Sequence, residues 1–129
     1  HHVLYVKNST NMLLYIDGVL NASNTNGGNT TTSSLDMRLG SRYTNANYYD
    51  GQMDEVAIWD NDQSANITSI FNQGVPSSLE SLNPISHWRM GEDATWNGTD
   101  WTLTDNGIGG NNGTSQNMVL ASRTNDVPE

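Results

Sequence analysis

Residues 1–20 read HHVLYVKNSTNMLLYIDGVL, and this stretch decides the fold class. The runs HHVLYVK and MLLYI are rich in β-branched, aliphatic and aromatic residues, which favours two strands. Residues 8–11 between them are polar and have the chemistry of a turn. Asp17-Gly18 predicts a tight hairpin, because glycine accepts a positive φ without a Cβ clash. The chain therefore begins with antiparallel strands joined by short turns.

Further along the chain, short apolar runs alternate with long polar ones. The polar run at residues 21–34 is expected to be a surface loop. LDMRLG (35–40) alternates apolar and polar residues, and GQMDEVAIW (51–59) is the clearest strand pattern. Three shorter strand candidates follow, in ISHWRM, WTLT and NMVLAS. About eight strand candidates in all favour a β-sandwich.

One helix is predicted between residues 64 and 74. Ser64 is a suitable N-cap, and Ile67, Ile70 and Phe71 recur at the spacing of a helical stripe. Gly74, followed two residues later by a proline, provides a stop signal.

Composition excludes several classes of protein. Net charge is −9, with five Lys and Arg against fourteen Asp and Glu, so the chain has no basic face for nucleic acid or for an anionic membrane. Absence of cysteine excludes disulfides and thiolate metal sites. No apolar run approaches the roughly 20 residues that span a bilayer. A first residue other than methionine is typical of a piece of a longer protein.

Two blocks of the sequence resemble a known family, the laminin-G-like (concanavalin A-like) jelly rolls. HHVLYVKNSTNMLLYIDGVL is similar to a hairpin of that family, and GQMDEVAIWDNDQSANITSIFNQG is similar to its closing strand and short helix. ISHWRMGE and TDNGIGGNNGT resemble the opening of the same family's domain. The resemblance implies an all-β antiparallel sandwich of jelly-roll type with one short helix.

In this chain the opening block follows the closing block. Residues 1–82 are therefore interpreted as the closing half of a jelly roll, and residues 83–129 as an opening-like segment. That segment either completes a permuted domain or starts the next repeat. The order of the blocks and the Asn-, Thr- and Ser-rich style also resemble bacteriophage fibre, tail and head-decoration proteins.

From these resemblances we expect a non-catalytic structural or adhesive module of a viral particle or extracellular fibre. Its partners would be other copies or other subunits of a larger assembly, with cell-surface glycan as a further ligand. Nucleic acid and membrane insertion are not expected. The alternative is a lectin-like carbohydrate-binding module attached to a secreted bacterial enzyme or adhesin. Either function places the chain outside the cell or on a virion surface.

A structural calcium ion is the one cofactor implied by the resemblance. The positions that match the family's calcium site are Asp54 and Asp105, and Asn112 could add a side-chain oxygen. The alternative is that Asp105 makes an Asx-turn and that Asp54 ends a strand.

Aromatic residues in or near loops are candidates for stacking on sugar rings: Tyr43, Tyr48, Tyr49, Trp96 and Trp101. The alternative is that such rings close the ends of the sandwich. No catalytic residue is predicted. Asp54 and Glu55 are the one tempting carboxylate pair, and adjacent residues on a strand point to opposite faces, unlike the facing carboxylates of a glycosidase.

Overall fold

A computed structural model describes residues 1–28, 34–42 and 47–124, and within them the chain is mostly antiparallel β-structure with one short helix. The strands are β1 (Val3–Asn8), β2 (Asn11–Ile16), β3 (Val19–Asn24), β4 (Val56–Ile58), β5 (Ser86–Trp88), β6 (Ala94–Trp96), β7 (Trp101–Leu103) and β8 (Gly113–Thr114). Helix α1 is Ile67–Phe71, and 3-10 turns cover Ser64–Asn66, Asn72–Gly74, Glu80–Leu82 and Leu120–Ser122. None of the helices in these ranges is long and apolar enough to cross a bilayer. This architecture is consistent with the predicted concanavalin A-like sandwich.

The first sheet is the predicted hairpin pair, in the order β1-β2-β3. Val3 faces Ile16 at one end of the β1–β2 ladder, and β2 turns into β3 through Asp17 and Gly18, both with positive φ. β3 continues to residue 24, so the surface loop predicted from residue 21 begins later than expected. An edge strand can be polar on both faces, because its ladder requires only backbone groups.

The core lies on one face of this sheet. Leu4 and Val6 alternate with exposed residues along β1 and pack with Ile70 of α1 and with Leu79. The residues partly buried around them are Leu13, Tyr15, Ala57, Trp59, Ile67 and Leu82. The apolar residues of the alternating pattern in β1 and of the helical stripe in α1 thus lie on this side of the sheet.

β4 and β5 pair the two sequence blocks. Val56 faces Trp88 in an antiparallel ladder, and the backbone N–H of Ile85 donates to the carbonyl of Ile58 at 2.8 Å. On its other side Trp88 forms a β-bridge with Asp105. Strands of residues 1–82 and of residues 83–129 therefore lie in one sheet, while the division between a permuted domain and a new repeat stays a prediction.

The third sheet has the order β6-β7-β8, and neither β6 nor β8 was predicted from the sequence. Trp96 of β6 faces Trp101 of β7, with ring centroids 5.4 Å apart. β6 has only three residues and is followed by the polar residues 97–100, so its sequence shows no alternation long enough to predict a strand.

Three strand predictions were wrong in whole or in part. LDMRLG forms no strand, and its Leu35 and Met37 are more than half exposed. NMVLAS forms no strand either and includes an exposed 3-10 turn. The strand predicted at 51–59 is reduced to β4, because Glu55 has a left-handed backbone (φ 49°) that interrupts the extended chain. A strand also needs a neighbouring strand to pair with, and alternation of apolar and polar residues does not provide that partner. A segment without a partner therefore forms no strand.

The helical segment occupies residues 64–74 as predicted, but as three short pieces. Asn72 and Gln73 both have positive φ, which ends α1 after five residues. The prediction of Ser64 as N-cap was wrong, since it lies inside the first turn. The N-cap position is held by Gln63, and Oδ1 of the preceding Asp62 accepts from the N–H of Ser64 at 2.8 Å.

Candidate functional site

Three carboxylates meet at the start of β4. Asp54, Glu55 and Glu92 each offer an oxygen atom within 4.8 Å of the other two, and we call them the acidic cluster. The prediction that Asp54 and Glu55 point to opposite faces was wrong. The two residues precede the strand, and the left-handed backbone of Glu55 cancels the alternation that an extended chain would impose.

Two cationic or cation-forming side chains of the neighbouring strand hold Glu55. Its Oε2 lies 2.7 Å from Nε2 of His87, and its Oε1 accepts from Nε of Arg89 at 3.0 Å. Arg89 also reaches Glu92, at 3.5 Å. The hydrogen bond that Arg89 donates to Glu55 raises the pKa of Arg89 further, so this guanidinium is permanently charged. Glu55 directly precedes β4, His87 lies on β5 opposite Ala57, and Arg89 directly follows β5.

Within the acidic cluster, the carboxyl of Asp54 has a raised pKa. Its burial raises the pKa, and the nearby charges of Glu92 and Glu55 raise it further. A hydrogen bond from the Glu55 N–H to Oδ1 of Asp54, at 3.0 Å, acts in the opposite direction. Such a carboxyl is stabilised by a proton, by a cation or by a donated hydrogen bond.

A polar cleft lies beside the acidic cluster, on the side of His87 and Arg89. Its wall residues are Pro76, Ser77, Ser78, Glu80, His87, Arg89, Asp93 and Asn106. Asn106 donates to Asp93 at 3.1 Å, which fixes both side chains in the wall. The cleft thus combines hydroxyl, carboxylate, amide and guanidinium groups, which are the donors and acceptors that bind vicinal hydroxyls.

Asp105 is buried and accepts hydrogen bonds from the backbone around it. Its Oδ1 accepts from the N–H groups of His87 (2.7 Å) and Gly107 (2.8 Å), and its Oδ2 accepts from the N–H of Asn111 (2.6 Å). Burial alone would raise the pKa of Asp105, but these three hydrogen bonds outweigh it and lower the pKa. The backbone N–H of Asp105 in turn donates to Oδ1 of Asn112 at 2.9 Å.

These contacts decide how well the predicted calcium ligands fit. The structure brings Asp105 and Asn112 together, but backbone donors already occupy the oxygens that a calcium ion would need. Asp54 belongs instead to the acidic cluster, where oxygen atoms of three carboxylates converge. Calcium binding at Asp54, Asp105 and Asn112 stays a prediction.

The predicted aromatic residues fall into two groups. Tyr48 and Tyr49 are 63% and 57% exposed. Trp101 is buried against Trp96, and its indole N–H donates to the carbonyl of Val119 at 3.1 Å. For Trp101 this geometry favours the packing role that the sequence left as an alternative. Tyr43 lies outside the described residues, and a glycan contact by the tyrosines stays a prediction.

Glu92, His87 and Arg89 were not predicted as site residues. They lie more than 30 residues from Glu55 in the chain, and no motif spacing connects them. Opposite charges on Glu55 and Arg89, next to two strands that pair, are a signal that could have found part of the site, but using it requires the β4–β5 register.

Comparison with known proteins gives one positive result. The model of the family described as the concanavalin A-like lectin/glucanases superfamily, of laminin-G type, matches residues 1–66. Searches among curated proteins and among solved structures found no match.

Proposed function

Since the chain belongs to the concanavalin A-like lectin/glucanases superfamily, we propose that it is a non-catalytic adhesive module that works outside the cell. The match over residues 1–66 is the observation that carries this proposal. Domains of laminin-G type are generally lectin-like or adhesive, non-catalytic and extracellular. The acidic surface, with a net charge of −9, is compatible with that setting.

The contacts of the acidic cluster support a non-catalytic function. A retaining glycosidase needs a carboxylate oxygen free to attack the sugar, beside a second carboxyl that gives up a proton. Asp54 has the raised pKa of a proton donor, but both oxygens of Glu55 are engaged by His87 and Arg89. A carboxylate held in this way positions its neighbours better than it attacks a substrate.

Glycan binding is assigned in this proposal to the polar cleft. Arg89 is about 40% exposed on its side chain, and Asp93 and Asn106 are fixed by their mutual hydrogen bond. Paired hydroxyls of a sugar would accept from the guanidinium and donate to the carboxylate. The exposed Tyr48 and Tyr49 are proposed as a separate stacking surface.

The test is glycan binding by the folded chain and three variants. Arg89→Met should lose binding at the cleft, and Tyr48→Ala reports on the tyrosine surface. Lys7→Met removes a cation from β1, which belongs to a different sheet from β5, and should bind like the parent. Absence of glycan binding by the folded parent would contradict the lectin-like part of the proposal. Hydrolysis of any bound glycan would contradict its non-catalytic part.

A structural calcium ion belongs to this proposal in a revised position. Asp54 and Glu92 would hold it beside Glu55, and its chemistry would be the neutralisation of converging carboxylates. Calcium should raise the melting temperature of the parent relative to EGTA, and should do so less in Asp54→Asn. Asp60→Asn, at an exposed position, is the matched control. An equal calcium effect in all three proteins, or none in the parent, would contradict the site.

Two settings remain for such a module. We favour a viral particle or extracellular fibre, in which copies or other subunits cover parts of the surface. Support comes from the many large apolar side chains that the described residues leave exposed, among them Val3, Tyr5 and Val19. A lectin-like module of a secreted bacterial enzyme or adhesin is the second candidate, and glycan binding by an isolated monomer would favour it.

A further inference from the structure

The first sheet presents an apolar face away from the core. The register pairs Val3 with Ile16 and Tyr5 with Leu14, and pairs Ile16 with Val19. Directly opposed residues share one face of a sheet, so these five side chains form a continuous surface, which we call the outer face. Val3, Tyr5 and Val19 are 60%, 58% and 68% exposed. The opposite face carries Leu4 and Val6 and is buried.

The outer face also differs from the rest of the molecule in charge. The chain has fourteen acidic residues, and β1, β2 and β3 contain none of them. Lys7 is the single charged residue in these three strands. A face without carboxylates can pack against an identical face at no cost in acidic repulsion, whereas the rest of a chain with a net charge of −9 would repel a copy of itself.

We propose that the outer face packs against the outer face of a second copy of this chain. The two three-stranded sheets would stack face to face, as the layers of a β-sandwich do. Such an interface is isologous, with the same side chains contributed by each copy about a two-fold axis. The inference rests on the proposed assembly function and names its partner and its surface.

Association is tested by measuring the mass of the chain in solution from micromolar to near-millimolar concentration. We expect a concentration-dependent dimer. Val3→Asp places a carboxylate in the outer face and should shift dissociation to at least tenfold higher protein concentration. Ile108→Asp makes a comparable change at an exposed residue in the Gly-rich loop and should leave the dimer intact. A parent that is monomeric throughout, or two variants with equal effects, would overturn the inference.

Thiol labelling locates the interface without a disruptive substitution. The chain has no cysteine, so Val3→Cys and Ile108→Cys each carry a unique thiol. At high concentration alkylation of Val3→Cys should slow severalfold relative to the dilute protein, and Ile108→Cys should react equally at both. Equal rates for Val3→Cys at both concentrations would overturn the inference.

Glycan binding, measured on the same samples, separates this inference from the proposed function. Glycan binding by a chain that remains monomeric would support the adhesive function. It would contradict self-association and indicate that a different subunit covers the outer face. A dimer that is sensitive to Val3→Asp but binds no glycan would support the interface and contradict the lectin-like role.

Discussion

The sheet of β1, β2 and β3 and the loops around β5 hold their backbone in different ways. In the sheet, neighbouring strands satisfy each other through regular ladders, and stability comes from the apolar side chains of one face. Around β5, a single carboxylate, Asp105, accepts three backbone N–H groups from separate positions in the chain. The backbone of the first region is therefore held by regular burial of apolar side chains, whereas that of the second is held by hydrogen bonds to one buried polar side chain.

The largest expected effect is in the polar region. Asp105→Ala removes the acceptor of three N–H groups, those of His87, Gly107 and Asn111, in a buried setting. Each buried donor left without a partner costs roughly 1–3 kcal/mol, so we expect a loss of about 3–5 kcal/mol in the free energy of unfolding. Chemical denaturation measures this loss. Asp105→Asn keeps one acceptor oxygen and should lose less; equal losses would contradict the hydrogen-bond explanation.

In the sheet region, the two faces of β1 provide a matched pair. Leu4→Ala opens a cavity in the core and should cost about 2–4 kcal/mol of unfolding free energy. Val3→Ala, one residue earlier and on the outer face, should cost less than about 1 kcal/mol in dilute monomer. The same denaturation experiment compares them. Similar costs for both would mean that the outer face is covered within the monomer.

A glycine pair tests how closely the loop backbone approaches β5. A Cβ added at Gly107 would lie 2.5 Å from the carbonyl oxygen of Ile85 and 2.6 Å from Cα of Ser86. Gly107→Ala should therefore destabilise by about 1–3 kcal/mol, because backbone atoms must move. Gly28→Ala meets no atom within 4 Å and should be neutral or slightly stabilising. Thermal melts check both, and a neutral Gly107→Ala would contradict the close approach.

Much of the sheet region could be predicted from the sequence, and little of the polar region could. The Asp17-Gly18 turn and the alternation of Leu4 and Val6 are local signals that survive in the structure. The acidic cluster depends on a left-handed residue, Glu55, and on the β4–β5 register, neither of which has a local pattern. The resemblance implied that Asp105 is a cation ligand. Its three backbone donors could not be predicted, because only the folded loop brings them to it.

Acidification should separate the two regions further. The pKa of Asp105 is lowered in the folded chain, so its contribution to stability is present above the ordinary aspartate range near pH 4 and is lost as pH falls through the folded pKa. The parent should therefore lose stability over this acid window more steeply than Asp105→Asn. Unfolding by denaturant at a series of pH values measures both slopes. Parallel slopes would contradict this role of Asp105.

The smallest effect is expected at Asp54. Its pKa is raised by burial and by Glu92 and Glu55, so deprotonation at neutral pH costs stability. Without calcium, Asp54→Asn should raise the melting temperature slightly, since it removes one of three converging charges and keeps the oxygen that accepts from the Glu55 N–H. A lower melting temperature in calcium-free buffer would contradict the proposed repulsion.

We infer that pairing of β4 with β5 joins the apolar sheet and the polar loops into one folded unit. Residue-resolved amide hydrogen exchange of the parent chain tests it most directly. The account predicts that slow amides in both regions, such as those of Leu4 and Val6 in β1 and of His87 and Asn111 around Asp105, exchange with the same opening free energy. Two separate values, with the amides of residues 84–115 opening while β1 stays protected, would contradict it.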